Sequence, residues 1–452
     1  MGTRPIKKQA PRGDLAGHDT EAPDSLRFPK DFVWGAATSA HQIEGGNTNS
    51  DWWDFEHQAG SGCAESSGDA CDSYSRWRQD LAVVADIGLT SYRFSLEWSR
   101  IEPTEGEWSL AALDHYRRIC ASCREVGIEP TVTFHHFTNP RWFASQGGWE
   151  APQSPALFAR FCEKAGRSLG DLIGRACTVN EPNMVALIGY LLGEFPPGRK
   201  DDTEAFVTVT KNLVEAHRRA VEALRAGPGV YPIGLALSMS EVQVVPGGEE
   251  FAALAREMME DIYLRELGGD DFVGVQSYSR TYIGPQGPVD PPRGTRLTAM
   301  GYEYWPQAAE AAIRRAATAT GRPVIVTENG IATNDDAERV EYVSEALRGV
   351  HRCLEDGIDV RGYFYWSLLD NFEWAHGFGP HFGLVSVDRS TFARRPKPSA
   401  RWFGEVARRR ELIPAAQTSS GLRNERRAGP EIRSTVGEES SANAGRQSRP
   451  PD

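Results

Sequence analysis

The sequence predicts an α/β protein of the (β/α)8 barrel class. Three observations carry that prediction. Short strand-like segments alternate with longer helix-like stretches eight times. Several of those runs stop abruptly in polar, chemistry-bearing residues, as at Pro323-Val324-Ile325-Val326-Thr327-Glu328 and Ala176-Cys177-Thr178-Val179-Asn180-Glu181. The first run leads into Ala37-Thr38-Ser39-Ala40, without the Gly-rich phosphate turn that a doubly wound sheet normally places there.

Strands are expected at 32–38, 91–98, 129–136, 176–181, 232–238, 271–278, 323–328 and 361–368. Helices are expected near 72–87, 109–126, 154–169, 203–226, 249–267, 303–319 and 337–356, with a last one near 398–410. Ser109 and Ser154 suit N-caps, and Gly88, Gly127, Gly268 and Gly357 suit C-terminal stops. Every Trp, Tyr and Phe lies between Phe28 and Phe403. The domain is therefore set at 28–411. Residues 1–27 and 412–452, rich in Pro, Gly, Ser, Arg and Glu, are expected to be disordered tails, because they offer too little apolar surface to offset ordering entropy.

The chain has 452 residues and a formal net charge of −12. That charge argues against nucleic acid and anionic membrane surfaces as partners. No apolar run approaches the ~18 residues of a membrane span, and residues 1–27 lack the apolar core of a signal peptide. Seven cysteines, an odd number in a large chain, do not form a secreted disulfide framework. Cys120 and Cys123 read as ordinary helix residues. Cys63 and Cys71 share a loop and could pair. A reducing, cytoplasmic setting is expected.

Along the barrel scheme, the carboxyl ends of the strands collect functional groups. Strand one leads into Gln42 and Glu44. Strand two carries Arg93 and ends near Glu97-Trp98. Strand three ends in His135-His136, strand four in Asn180-Glu181, strand six in Gln276 and Tyr278, and strand seven in Glu328. Strand eight leads to Trp366 and then Glu373-Trp374. Amides and carboxylates match hydroxyl groups, and indole faces match the C–H faces of a pyranose, so the rim suits a neutral sugar. His135 and His136 are strand neighbours pointing to opposite faces, which disfavours a shared metal. One is expected in the pocket and the other in the strand–helix layer. No cofactor and no metal ligand is assigned.

Six stretches carry a resemblance to a known family: FPKDFVWGAATSAHQIEGG (28–46), YRFSLEWSRIEP (92–103), TVTFHHFTNPRW (131–142), TVNEPN (178–183), VTENG (326–330) and YFYWSLLDNFEWAHGFGPHFGLVSVD (363–388). The chain resembles glycoside hydrolase family 1, the retaining β-glucosidase family, over about Phe28 to Val406. The resemblance implies hydrolysis of small-molecule β-D-glucosides, with β-galactosides and β-fucosides as further candidates, through a covalent glycosyl-enzyme. It implies Glu181 as acid/base and Glu328 as nucleophile. It implies Arg93, Tyr278 and Gln276 as supports of the nucleophile, and Gln42, His136, Asn180, Trp366, Glu373 and Trp374 as sugar-binding residues.

The chain departs from the family pattern in places. The family usually has Asn at Gln276, Trp-Asp at Phe137-Thr138 and often Tyr at His135. Residues 280–300 are short for the family. A sugar-binding barrel that has lost catalysis is the reading from another class, and both glutamates stand against it. A phosphoglycosidase is the enzymatic alternative, against which the carboxylate of Glu373 stands.

Overall fold

Eight parallel strands close into a barrel in the computed structural model, which describes residues 26–412. The strands are β1 (Val33–Ala37), β2 (Ser91–Ser95), β3 (Glu129–His135), β4 (Arg175–Asn180), β5 (Ile233–Ser238), β6 (Phe272–Gln276), β7 (Val324–Asn329) and β8 (Val360–Trp366). Each pairs with the next, and β8 returns to β1. The expected order is thus the observed one. The greater part of both expected tails lies outside the described residues. Leu26–Arg27 does not lie outside: it pairs antiparallel with Glu411–Leu412, so the folded part begins two residues before Phe28.

The outer layer is α1 (Ser73–Ile87), α2 (Leu110–Glu125), α3 (Ser154–Leu169), α4 (Thr203–Arg225), α5 (Glu249–Arg256), α6 (Ala308–Thr320), α7 (Asp336–Glu355) and α8 (Pro398–Arg409). Local chemistry sets their ends. Ser109 accepts from Ala112 N at the start of α2, and Gly88 stops α1 in the left-handed conformation. Ser154 is not a cap. It is the first residue of α3, Gln153 precedes it, and its hydroxyl donates to the Trp149 carbonyl. Gly268 lies inside a 3-10 turn, Leu267–Gly269. The expected helix at 249–267 passes through a π turn, Glu257–Asp261. The one expected at 303–319 starts only at Ala308, because Pro306 disfavours helix in the residue before it. Trp305 instead lies under the Arg280 guanidinium, 3.6 Å from its ring.

Two apolar layers result. Between strands and helices lies the main core, including Trp34, Phe94, Phe134, Tyr363 and Phe403. Inside the barrel a smaller cluster holds Ala37, Cys177, Ala236, Phe272, Ile325 and Phe364. Phe364 can fill this space only because β1 has Gly35 beside it; a Cβ there would sit 2.3 Å from the ring. Truncating such a buried Phe typically costs ~3–5 kcal/mol. Above this plug the interior turns polar, and the strand ends point into it.

Two features at the carboxyl rim fall outside the sequence expectation. Short helices follow the strands directly, at Ala40–Glu44, Trp98–Ile101 and Pro182–Ala186. A three-stranded sheet of Glu241–Val244, Arg280–Gly284 and Gly287–Val289 stands beyond β5 and β6. All seven cysteines are free, Cys63 and Cys71 included.

Candidate active site

Both strand-end carboxylates follow an irregularity in the barrel ladder. On β4, Cys177 pairs with Gly234 and Asn180 with Ala236, so β4 carries one extra residue just before Glu181. On β7, Val326 pairs with Val275 and Glu328 with Gln276, so β7 does the same just before its carboxylate. An extra residue bends the strand and re-aims the side chains beyond it. Glu181 then turns into its helix with φ 43 and ψ 60, a left-handed conformation that side chains beyond Gly seldom adopt. Its N–H is held at 2.7 Å by the Ala236 carbonyl. After Glu328, Gly330 lets the chain pass the Trp366 carbonyl, which would lie 2.0 Å from any Cβ.

The two carboxylates face one cavity of about 140 Å³. His136, Asn180, Tyr278, Trp366, Glu373 and Trp374 also line it. Arg93, Gln276 and Gln42 stand immediately behind this wall. A wider cleft of about 460 Å³ opens behind Phe137 and Phe195 and contains neither catalytic candidate. Of the other strand-end groups, Glu44 pairs with Arg100 at 2.8 Å, and Glu97 accepts from Ser99 and Thr138. These are structural.

Glu328 is fastened by three donors. Arg93 Nη1 lies 2.5 Å from Oε1, Gln276 Nε2 2.9 Å from Oε1, and Tyr278 Oη 2.6 Å from Oε2. Arg93 is wholly buried, and its Nε donates to Thr133 Oγ1 at 3.1 Å. Its Nη2 lies 2.5 Å from Asn180 Oδ1, which also accepts from Gln276. A guanidinium only donates, so this contact fixes which end of the Asn180 amide is oxygen. The Asn180 NH2 group must then point toward His136, whose Nε2 is 3.2 Å away and acts as acceptor. Burial and the Arg93 charge hold His136 well below its ordinary pKa, so it is neutral.

The expected split of the histidines holds. His136 lies nearly parallel to Trp366 in the cavity, and His135 packs edge-on against Trp149 in the outer layer. Burial lowers His135 to about 4. Glu373 accepts from Gln42 Nε2 at 3.4 Å. Gln42 itself is fully buried, taking a bond from Ser39 and giving one to the Phe372 carbonyl.

Burial is the largest influence on all three cavity glutamates and raises each. Glu373 is pushed up to about 8, with the charge of Glu328 adding to burial. Glu181 is raised furthest above the ordinary range, by burial and then by the Glu328 charge. Glu328 is also raised by burial, but Arg93, Tyr278 and Gln276 all pull it back. Glu328 is therefore the first to ionise, and Glu181 keeps its proton.

Sequence reasoning passed over several lining residues. Met184, Ile188, Phe195, Met300, Tyr302 and Phe382 give the cavity an apolar outer part, and Ser238 closes it beside Glu181. Ser238 had a usable signal, as the last residue of β5. The others come from rim segments with no periodicity.

The family profile described as "Glycosyl hydrolase family 1" matches residues 24–286 and 286–412. Beta-glucosidase A of Acetivibrio thermocellus is 32% identical over 444 residues, covering 84% of this chain and 98% of its own. The bifunctional beta-D-glucosidase/beta-D-fucosidase of Bifidobacterium breve is 33% identical, covering 84% and 98%. The crystal structure of beta-glycosidase BGL167 superposes with a TM-score of 0.80 at 49% identity, covering 84% of this chain and 97% of that one.

Proposed function

Since the chain belongs to glycosyl hydrolase family 1, we propose that Glu328 attacks the anomeric carbon of a β-D-glucoside while Glu181 protonates the departing oxygen. The protein is a glycoside hydrolase of the β-glucosidase type and acts with retention. The observation that carries the residue roles is the asymmetry between the two carboxylates. One is bound by a guanidinium, an amide and a phenol; the other is half-buried beside that charge and, among the described residues, has no cation in contact.

The same asymmetry supports both half-reactions. In the first, ionised Glu328 is the nucleophile and protonated Glu181 the acid. Glycosylation of Glu328 removes its negative charge. The pKa of Glu181 then falls, which suits it to take a proton from water in the second half. Asn180, with its NH2 group oriented by Arg93 and Gln276, is the donor for the sugar 2-hydroxyl. Trp366 supplies the flat face under the ring. Glu373, His136, Gln42 and Trp374 form the recognition group for the remaining hydroxyls. β-Fucosides are the further substrate class favoured by the relative named as bifunctional.

Among the described residues no helix is long and apolar enough to cross a membrane. Buried thiols such as Cys162 and Cys177, packed as small hydrophobes, support a cytoplasmic setting. Proton NMR of a glucoside digest tests the reaction: the first sugar detected is the β-anomer. First release of the α-anomer would exclude a retaining mechanism.

A further inference from the structure

The wall of the cavity changes character beyond Glu181. Met184 and Ile188 follow Glu181 on the short helix it begins and on the π turn that continues that helix. Phe195 comes from the loop after the turn, Met300 and Tyr302 from the segment after β6, and Phe382 from the one after β8. Five of these six side chains carry no hydrogen-bond donor. Two are fixed by other rings: Phe195 lies 5.2 Å from Phe137 and Phe382 5.9 Å from Tyr278, centroid to centroid. Met184, Ile188 and Met300 are only half-buried, and Tyr302 is 44% exposed. Their apolar surface is therefore still open to a ligand.

A second cavity of about 320 Å³ adjoins this wall and shares Met184, Tyr278 and Tyr302 with the first. Its polar side chains are used on one another. Arg280 is bidentate to Glu303, at 2.7 and 2.9 Å. Ser240 Oγ lies 2.8 Å from Thr281 Oγ1, and Ser279 Oγ donates to the Glu303 carbonyl at 2.8 Å. Three of the chain's six methionines, Met184, Met239 and Met300, line the two spaces.

We propose that the leaving group this protein is built for is a flat, neutral aromatic alcohol or phenol, and not a second sugar. The proposal rests on the β-glucosidase reading with Glu181 as the acid. In the first half-reaction the bond from the anomeric carbon to the glycosidic oxygen breaks, and that oxygen takes the Glu181 proton. What departs is a neutral hydroxyl compound, in keeping with a wall that offers no charge. A departing glucose would bring several hydroxyls against side chains unable to serve them, and each unserved hydroxyl costs binding energy. An aromatic ring instead gains from the apolar area it buries. The thioethers of Met184 and Met300 adapt to rings of different outline and make favourable sulfur–aromatic contacts.

The test compares kcat/KM for 2-phenylethyl β-D-glucoside and for cellobiose. Both leaving groups are alcohols that need a proton to depart, so their ratio reports the wall and not the acid. The aromatic glucoside should be preferred by about tenfold or more. Met184→Gln and Met300→Gln keep the length of the side chain and add an amide able to serve hydroxyls. Each should narrow the preference about fivefold, the scale of one hydrogen bond.

Equal rates on the two substrates, or preference for cellobiose, would overturn the proposal while leaving the β-glucosidase reading intact. A ratio that stays within about twofold of the parent in both Gln variants would also overturn it, because the preference would then arise elsewhere. Failure to hydrolyse either compound or 4-nitrophenyl β-D-glucoside would remove the β-glucosidase reading and this proposal with it.

Discussion

Arg93 and Glu328 form a wholly buried ion pair at 2.5 Å, and the same guanidinium also grips Asn180 at 2.5 Å. One side chain thus sets the charge of Glu328 and the orientation of the Asn180 amide. Lys cannot do both, because an ammonium is a point charge on a flexible stem. Arg93→Lys should lower kcat/KM by roughly 10²-fold or more, with loss of folding stability on the scale of a broken buried pair, ~3–5 kcal/mol at most. Steady-state kinetics and thermal melting check this. A rate within threefold of the parent would mean the bridging geometry is dispensable.

Gln276 reaches Asn180 and Glu328 with one nitrogen, at 2.9 Å to each. The side chain is longer than the Asn usual in the family, and its extra methylene is what brings the amide to that midpoint. Gln276→Asn draws the nitrogen back from both acceptors. The expected loss is about tenfold in kcat, of the order of one bond to a charged group, with the melting temperature nearly unchanged. A rise in kcat would show that the longer amide is a compromise.

The ionisation of Glu373 opposes folding. Its ordinary value of 4.5 is pushed up to about 8. Between those values the folded state binds more protons than the unfolded one, so stability falls as pH rises through this window. Glu373→Gln removes that fall. Its melting temperature should match the parent near pH 4.5 and exceed it increasingly up to about pH 8. Glucosidase activity should drop in parallel. The anionic Glu328 in the same cavity predicts that 4-nitrophenyl β-D-glucoside has a higher specificity constant than its 6-phosphate, which would bring roughly −1.5 to −2 further charges beside it and raise the cost of desolvation. Preference for the phosphate would overturn the neutral-sugar reading of the cavity.

The barrel was legible because its strands are buried on both faces and read as short runs between longer amphipathic stretches; all eight are found close to their expected places. Glu181 and Glu328 were legible because each ends such a run. What could not be read depends on contacts between distant segments. The ladder irregularities before both carboxylates arise from pairing with β5 and β6, not from any local signal on β4 or β7. Ser154 has cap chemistry but spends its hydroxyl on Trp149, a neighbour brought close only by the turn before α3. Ser238 is an ordinary strand-end serine until the Glu181 turn folds against it. The apolar outer wall from Met184 to Phe382 is assembled from three rim segments, those after β4, β6 and β8, and has no periodicity.

The nucleophile is tested most directly by chemical rescue. Glu328→Gly leaves a space at the rim and no attacking group, so hydrolysis of 2,4-dinitrophenyl β-D-glucoside should fall to near background. Azide should then enter that space from the face opposite the leaving group, restore turnover and give α-glucosyl azide, identified by NMR. Turnover at the parent rate without azide, or β-glucosyl azide as the rescue product, would contradict the assignment of Glu328.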